Sequence, residues 1–120
     1  MRLDAIIFDF DGTLADTLPL CAAAFQAAAA EVGGVTLSVA QITAMFGPNE
    51  EGIMRRVLAE RWEEGLAVFL REYDLRHPEI CTGPFPGVRE MLADLRQRGA
   101  KVGMITGKGP LSAAISLRHV

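Results

Sequence analysis

Two aspartates one residue apart, Asp9 and Asp11, stand in the segment Asp9-Phe10-Asp11-Gly12-Thr13, directly after the apolar run Ala5-Ile6-Ile7-Phe8. On an extended backbone such residues project to the same side. At about 4 Å and an effective dielectric near 20, two carboxylates repel by on the order of 4 kcal/mol, so the pair favours a bound divalent cation, a shared proton, or both. That arrangement suits acid/base chemistry. A carboxylate attacking phosphorus needs a partner to protonate the leaving oxygen, and a cation to offset charge between the attacking group and the phosphoryl oxygens. Asp-Gly is also a hairpin signal. A hairpin would need a second alternating strand after Gly12, whereas Leu14 onward leads to Thr17, a helix N-cap candidate, and an alanine-rich helix.

The pair must be held by a strand. A short apolar run bounded by Asp4 and Asp9 predicts a parallel strand over Leu3 to Phe8, central and buried on both faces, with the aspartates at its carboxyl end, where open α/β sheets place their ligands. A second strand is predicted over Lys101 to Thr106, running into the tight loop Gly107-Lys108-Gly109-Pro110. Between them lie helices. The first spans Leu18 to about Glu31 and ends at Gly33-Gly34; the second starts with a Ser38/Gln41 capping box and ends at Gly47-Pro48. Asn49 can cap a third, with Ile53, Met54, Val57 and Leu58 on one face and Arg55, Arg56 and Glu60 on the other. Leu66, Phe69, Leu70 and Tyr73 mark a fourth, which Pro78 is expected to stop. Val88, Met91, Leu92 and Leu95 mark a last helix before Gly99, forming the crossover that parallel strands require. Leu111 to Val120 again carry a helical pattern.

Composition narrows the class. The chain has 120 residues, 50% of them hydrophobic and 22% charged, which describes a globular fold of one domain or one domain with an insertion, and excludes disorder. Twelve basic against fifteen acidic residues give a net charge of −3 with no basic block, so no nucleic-acid partner is expected. Cys21 and Cys81 form no CxxC or Cys/His cluster, which points to reduced thiols and a cytoplasmic location. Asp4 and Asp9 break any signal core, and Gln26 interrupts the stretch from Leu18 to Ala30, so neither an export signal nor a membrane span is expected.

The segment FDFDGTLADT, residues 8–17, resembles the first signature of the haloacid dehalogenase-like hydrolases. FPGVREMLADL followed by GMITGK resembles the stretch leading to their second signature, a Thr or Ser that ends the next strand. Order, spacing and intervening helices agree across essentially the whole chain. The helical insertion resembles the cap of the phosphoglycolate phosphatase and phosphoglucomutase-like branch. The resemblance implies an α/β fold, the first part of a doubly wound Rossmann-like parallel sheet with an inserted α-helical cap. Residues 1–16 and 81–120 would form the core and residues 17–80 the cap. It also implies that Asp9 is the nucleophile forming an aspartyl-phosphate and Asp11 the general acid/base. Mg²⁺ would be held by the Asp9 side chain and the Asp11 backbone carbonyl. Thr106 and the Gly107 amide would bind the transferring phosphoryl group, and Gly12 would let backbone approach it closely. Dehalogenase members keep only the first acid, so Asp11 favours phosphatase chemistry on a small phosphorylated metabolite. A phosphomutase is the enzymatic alternative, and a non-catalytic truncated remnant acting as an interaction module is the other.

The family pattern continues beyond these motifs to a lysine and an acidic motif, whereas no Asp or Glu follows Asp94. The expectation is a chain that ends mid-fold, as a fragment, as a truncated reading frame or, third, as a chain that completes its sheet by self-association, and that turns over weakly or not at all alone. Lys108 is read as solvated and left outside the catalytic set. Gly47-Pro48-Asn49-Glu50 is either a simple turn or a loop that closes over the site. Arg55 and Arg56 are read as a solvated helix face, His77 and His119 as surface residues, and Cys21 and Cys81 as packing residues. A nucleotide P-loop is excluded, because Gly109 follows Lys108 and Val102 stands where the first glycine would be needed.

Overall fold

A computed structural model of the chain describes residues 4–104 and 108–119. Two parallel strands, β1 (Ala5–Phe8) and β2 (Lys101–Met104), pair in the register Ala5 with Lys101 and Phe8 with Met104. Six α-helices accompany them among the described residues: α1 (Leu18–Gly33), α2 (Val39–Thr43), α3 (Glu50–Leu58), α4 (Trp62–Ile80), α5 (Val88–Gln97) and α6 (Pro110–His119). The fold class is α/β. Because the strands are parallel and in register, both carboxyl ends, and the loops that follow them, lie at one end of the sheet.

The local signals act largely as the residue types require. The Ser38 hydroxyl accepts from the Gln41 N–H while the Gln41 side chain accepts from the Ser38 N–H, a complete capping box for α2. Asn49 Oδ1 accepts from the Gly52 N–H and caps α3. Gly34 takes the left-handed conformation that ends α1, with φ of 62°.

The core lies between α1 and α4, with α2 and α3 closing its sides. Ala24 and Ala28 are wholly buried on α1 and let large partners approach, Phe69 and Tyr73 from α4 among them. Phe25 stacks on Phe69 with ring centroids 4.3 Å apart, and Phe69 contacts Tyr73 at 5.5 Å.

Three expectations are corrected. First, β1 is not buried on both faces: Ile7 is 62% exposed, because β1 pairs only with β2 among the described residues and its outward face has no covering layer there. Leu3 of the predicted first strand, and residues 105 and 106 of the second, lie outside the described residues. Second, Pro78 does not stop α4, which continues to Ile80. A proline there removes a single backbone donor in the last turn. That turn is held instead by the Cys81 N–H donating to the His77 carbonyl at 2.9 Å.

Third, His77 is a buried residue, with no exposed surface. Its Nδ1 lies 3.0 Å from the Cys81 carbonyl, which can only accept, so Nδ1 carries the proton. Nε2 then accepts from the Ser116 hydroxyl at 3.0 Å, and Ser116 Oγ in turn accepts from the Tyr73 hydroxyl at 2.6 Å. Each donor in this network is used once when the imidazole is neutral. Burial also pushes the His77 pKa below its ordinary value, and stacking on His119 at 4.6 Å adds to the effect.

Two predictions come from this packing. Phe69→Ala removes a fully buried ring and should lower unfolding stability by about 3–5 kcal/mol in urea titrations. The unfolded chain binds a proton at His77 near 6.5, where the folded chain does not. Stability should therefore be unaffected by His77 above that pH and fall as pH drops through it. The melting temperature followed by circular dichroism should decline as pH falls below about 6.5, and His77→Gln should flatten that decline. The ion-paired carboxylates Asp74, Glu72 and Glu64 are held below their ordinary values, so their contributions disappear only at lower pH.

Candidate active site

The loop after β1 is tied around one carbonyl. Phe10 is buried, and its carbonyl accepts from the N–H groups of Thr13 at 3.1 Å, Leu14 at 2.9 Å and Ala15 at 3.3 Å. Gly12 takes φ of 73°, and a Cβ there would lie 3.2 Å from Leu18 Cδ1, so both conformation and space favour glycine. This turn sets Asp9 and Asp11 on the wall of a cavity of about 200 Å³. Leu18, Cys21 and Phe25 of α1 line one side, and Phe46 to Glu50 with Ile53 line the other. The Gly47-Pro48-Asn49-Glu50 loop is thus part of the cavity wall rather than only a turn.

Thr17 precedes α1 in the N-cap position, but its hydroxyl makes no cap hydrogen bond. It is fully buried and donates to Asp11 Oδ1 instead. The same Oδ1 lies 3.1 Å from Lys108 Nζ. Here a sequence reading is overturned. Lys108 is not solvated: its side chain is 2% exposed, 3.5 Å from Cys21 Sγ and 4.6 Å above the Tyr73 ring. Burial works against the ammonium, and the Asp11 carboxyl 3.1 Å away works the other way. Burial also pushes the Cys21 thiol up to about 11 and the Tyr73 hydroxyl up to about 12. Both are therefore neutral near pH 7.

No signal close to Lys108 in sequence could have revealed this. Its surroundings come from α1 and α4, with Cys21 standing 87 residues away. Arg55 pairs with Glu51 at 3.5 Å and lies over the Trp62 ring at 4.1 Å; both it and Arg56 are exposed, as read from sequence. Cys21 and Cys81 are buried free thiols, as expected. Thr106 and Gly107, the predicted phosphate-binding pair, lie outside the described residues.

Mg²⁺ takes six oxygens in near-octahedral geometry and keeps several waters, so one or two carboxylates with substrate oxygens suffice. Asp9 Oδ1 accepts from the Phe10 N–H at 2.8 Å, and Asp11 Oδ1 serves Thr17 and Lys108. Among the described residues no hydrogen bond or ion pair engages Asp9 Oδ2, so that oxygen and the Asp11 backbone carbonyl fit the ion's preference for hard oxygen donors. Among the described residues, no group of three or more Asp, Glu, His or Cys side chains is arranged to hold a metal.

The pattern of the haloacid dehalogenase-like hydrolases matches residues 6–120. The chain belongs to that family. Phosphoglycolate phosphatase from Pseudomonas syringae pv. tomato is 35% identical over 113 residues, covering 86% of this chain and 41% of the relative. Phosphoglycolate phosphatase from Cereibacter sphaeroides is 32% identical over 120 residues, covering 93% of this chain and 54% of the relative. The chain spans about half the length of the curated relatives it matches. Among solved structures, CbbY from Rhodobacter sphaeroides in complex with phosphate aligns with a TM-score of 0.82 at 19% identity, over 98% of this chain and 57% of that one. A hydrolase from Pseudomonas syringae aligns with a TM-score of 0.76 at 25% identity, over 97% of this chain and 55% of that one. The chain therefore shares the α/β fold of these structures over the part it spans. Among the described residues no helix is long and apolar enough to cross a membrane.

Burial and raised pKa together make a thiol unreactive. An aromatic disulfide reagent near neutral pH should label neither Cys21 nor Cys81 until the chain is unfolded, and then both. Fast labelling of Cys21 in the folded chain would contradict the buried site.

Proposed function

We propose that this site hydrolyses small phosphomonoesters through an aspartyl-phosphate on Asp9, with Asp11 as general acid and base. The observation that carries the reading is the placement of two carboxylates on one cavity wall, the second clamped by Lys108 and Thr17. An Asp9 oxygen attacks phosphorus as the ester P–O bond breaks, and Asp11 gives the leaving oxygen its proton. Water then attacks the acyl-phosphate, Asp11 takes the water's proton, and phosphate departs with Asp9 regenerated. When bound, Mg²⁺ supplies charge neutralisation between the Asp9 carboxylate and the phosphoryl oxygens.

Thr17 and Lys108 keep Asp11 from swinging away, so that its second oxygen is presented in one orientation. Thr106 and Gly107 would hold the phosphoryl oxygens, and residues 17–80 would act as a cap over a core of residues 1–16 and 81–120. The loop from Gly47 to Glu50, which lines the same cavity as the aspartates, supports that division. The names of the curated relatives support phosphoglycolate as the first substrate to try.

Incubating the chain with phosphoglycolate or p-nitrophenyl phosphate and Mg²⁺ should release phosphate, and intact mass after rapid acid quench should show one added phosphoryl group. Asp9→Asn should abolish the added mass and cut phosphate release by about 10³-fold or more. Asp11→Asn should slow release by about 10² to 10⁴-fold. Undiminished release by Asp9→Asn would overturn the reading.

A further inference from the structure

Glu50 is a buried carboxylate outside the chemistry just described, 7% exposed. A buried carboxylate needs hydrogen-bond donors. Glu50 finds both of its donors on one distant segment: the Gly109 N–H donates to Oε2 at 2.5 Å, and the Ser112 hydroxyl donates to Oε1. These partners stand 59 and 62 residues away in sequence. Glu50 is not needed by its own helix, because Asn49 already caps α3. Its carboxylate sits instead at the start of α6, where unpaired N–H groups and the helix dipole favour negative charge.

The residue at 109 carries an independent mark of the same contact. A Cβ on Gly109 would lie 2.5 Å from Glu50 Oε2. Any side chain at this point would displace the Glu50 carboxylate from the Gly109 N–H. Gly109 also directly follows Lys108, whose flexible four-carbon stem must deliver its ammonium to Asp11. Glu50 itself lines the cavity beside Asp9, Asp11 and Lys108.

We propose that Glu50 is a positioning residue: its carboxylate fastens the start of α3 to the backbone just after Lys108, and so aims Lys108 at Asp11 while the Gly47–Glu50 loop covers the cavity. This rests on the reading of Asp11 as the acid/base group. Cavity coverage and the alignment of Asp11 are then one event, because the same carboxylate secures both. Release of Glu50 frees the loop and the Lys108 segment together.

The test uses the full 120-residue chain. Amide hydrogen exchange followed by nuclear magnetic resonance reads the latch directly. Glu50→Ala should speed exchange at Gly109 by about tenfold or more, while Glu50→Gln, which can still accept from Gly109 and donate to Ser112, should keep it protected. With p-nitrophenyl phosphate, Glu50→Ala should lower kcat by about 10- to 100-fold with KM changed less than about threefold, and Glu50→Gln should restore most of the rate. Ser112→Ala removes one of the two bonds and should give an intermediate loss; it serves as the working variant if Glu50→Ala fails to melt cooperatively. Unchanged Gly109 exchange in Glu50→Ala, or a loosened Gly109 with wild-type kcat, overturns the proposal. A wild-type chain that releases no phosphate, or an Asp9→Asn variant as active as wild type, overturns the phosphatase reading instead, whatever the exchange at Gly109.

Discussion

The contact between Lys108 and Asp11 constrains everything around it. An ammonium with 2% of its side chain exposed cannot be left alone, since an unpaired buried charge costs several kcal/mol. It must meet a carboxylate, and Asp11 lies in the turn after β1. Lys108 therefore has to arrive at the carboxyl end of β1. The parallel register of β2, with Phe8 opposite Met104, delivers it there. Thr17 completes the arrangement by giving its hydroxyl to Asp11 rather than to the first turn of α1.

The helical layer and the site are held by shared residues. Tyr73 packs in the core against Phe69, lies beneath Lys108, and shares a hydrogen bond with the Ser116 hydroxyl of α6. Ser116 in turn satisfies His77, whose other nitrogen holds the end of α4. A change in the packing of α4 against α6 would thus move the ring on which the ammonium rests. Buried polar chains of this kind stabilise only when every member is satisfied, and among the described residues no buried side-chain polar atom lacks a partner.

Much of the local structure was legible from residue types alone. The Ser38/Gln41 box, the Asn49 cap and the glycine stop after α1 work through contacts three or four residues long, so sequence carries them whole. Pro78 was misread because a proline in the last helical turn removes a bond that the helix can spare. The double burial predicted for β1 failed because burial depends on layers brought from elsewhere, and Ile7 has none among the described residues. His77 looked like a surface residue beside a proline, yet its partners come from α6 and from the residue ending α4.

By itself the sequence determined the strand, the aspartate pair at its end, the order of the helices and the family. Each of these is written in neighbouring residues or in motif spacing. Tertiary structure alone decided that Lys108 is a buried partner of Asp11, that Thr17 serves the site rather than its helix, and that Glu50 grips the start of α6. Those contacts join residues from six positions apart, Asp11 and Thr17, to 97 apart, Asp11 and Lys108, and a charge shows its environment only when distant elements have closed around it.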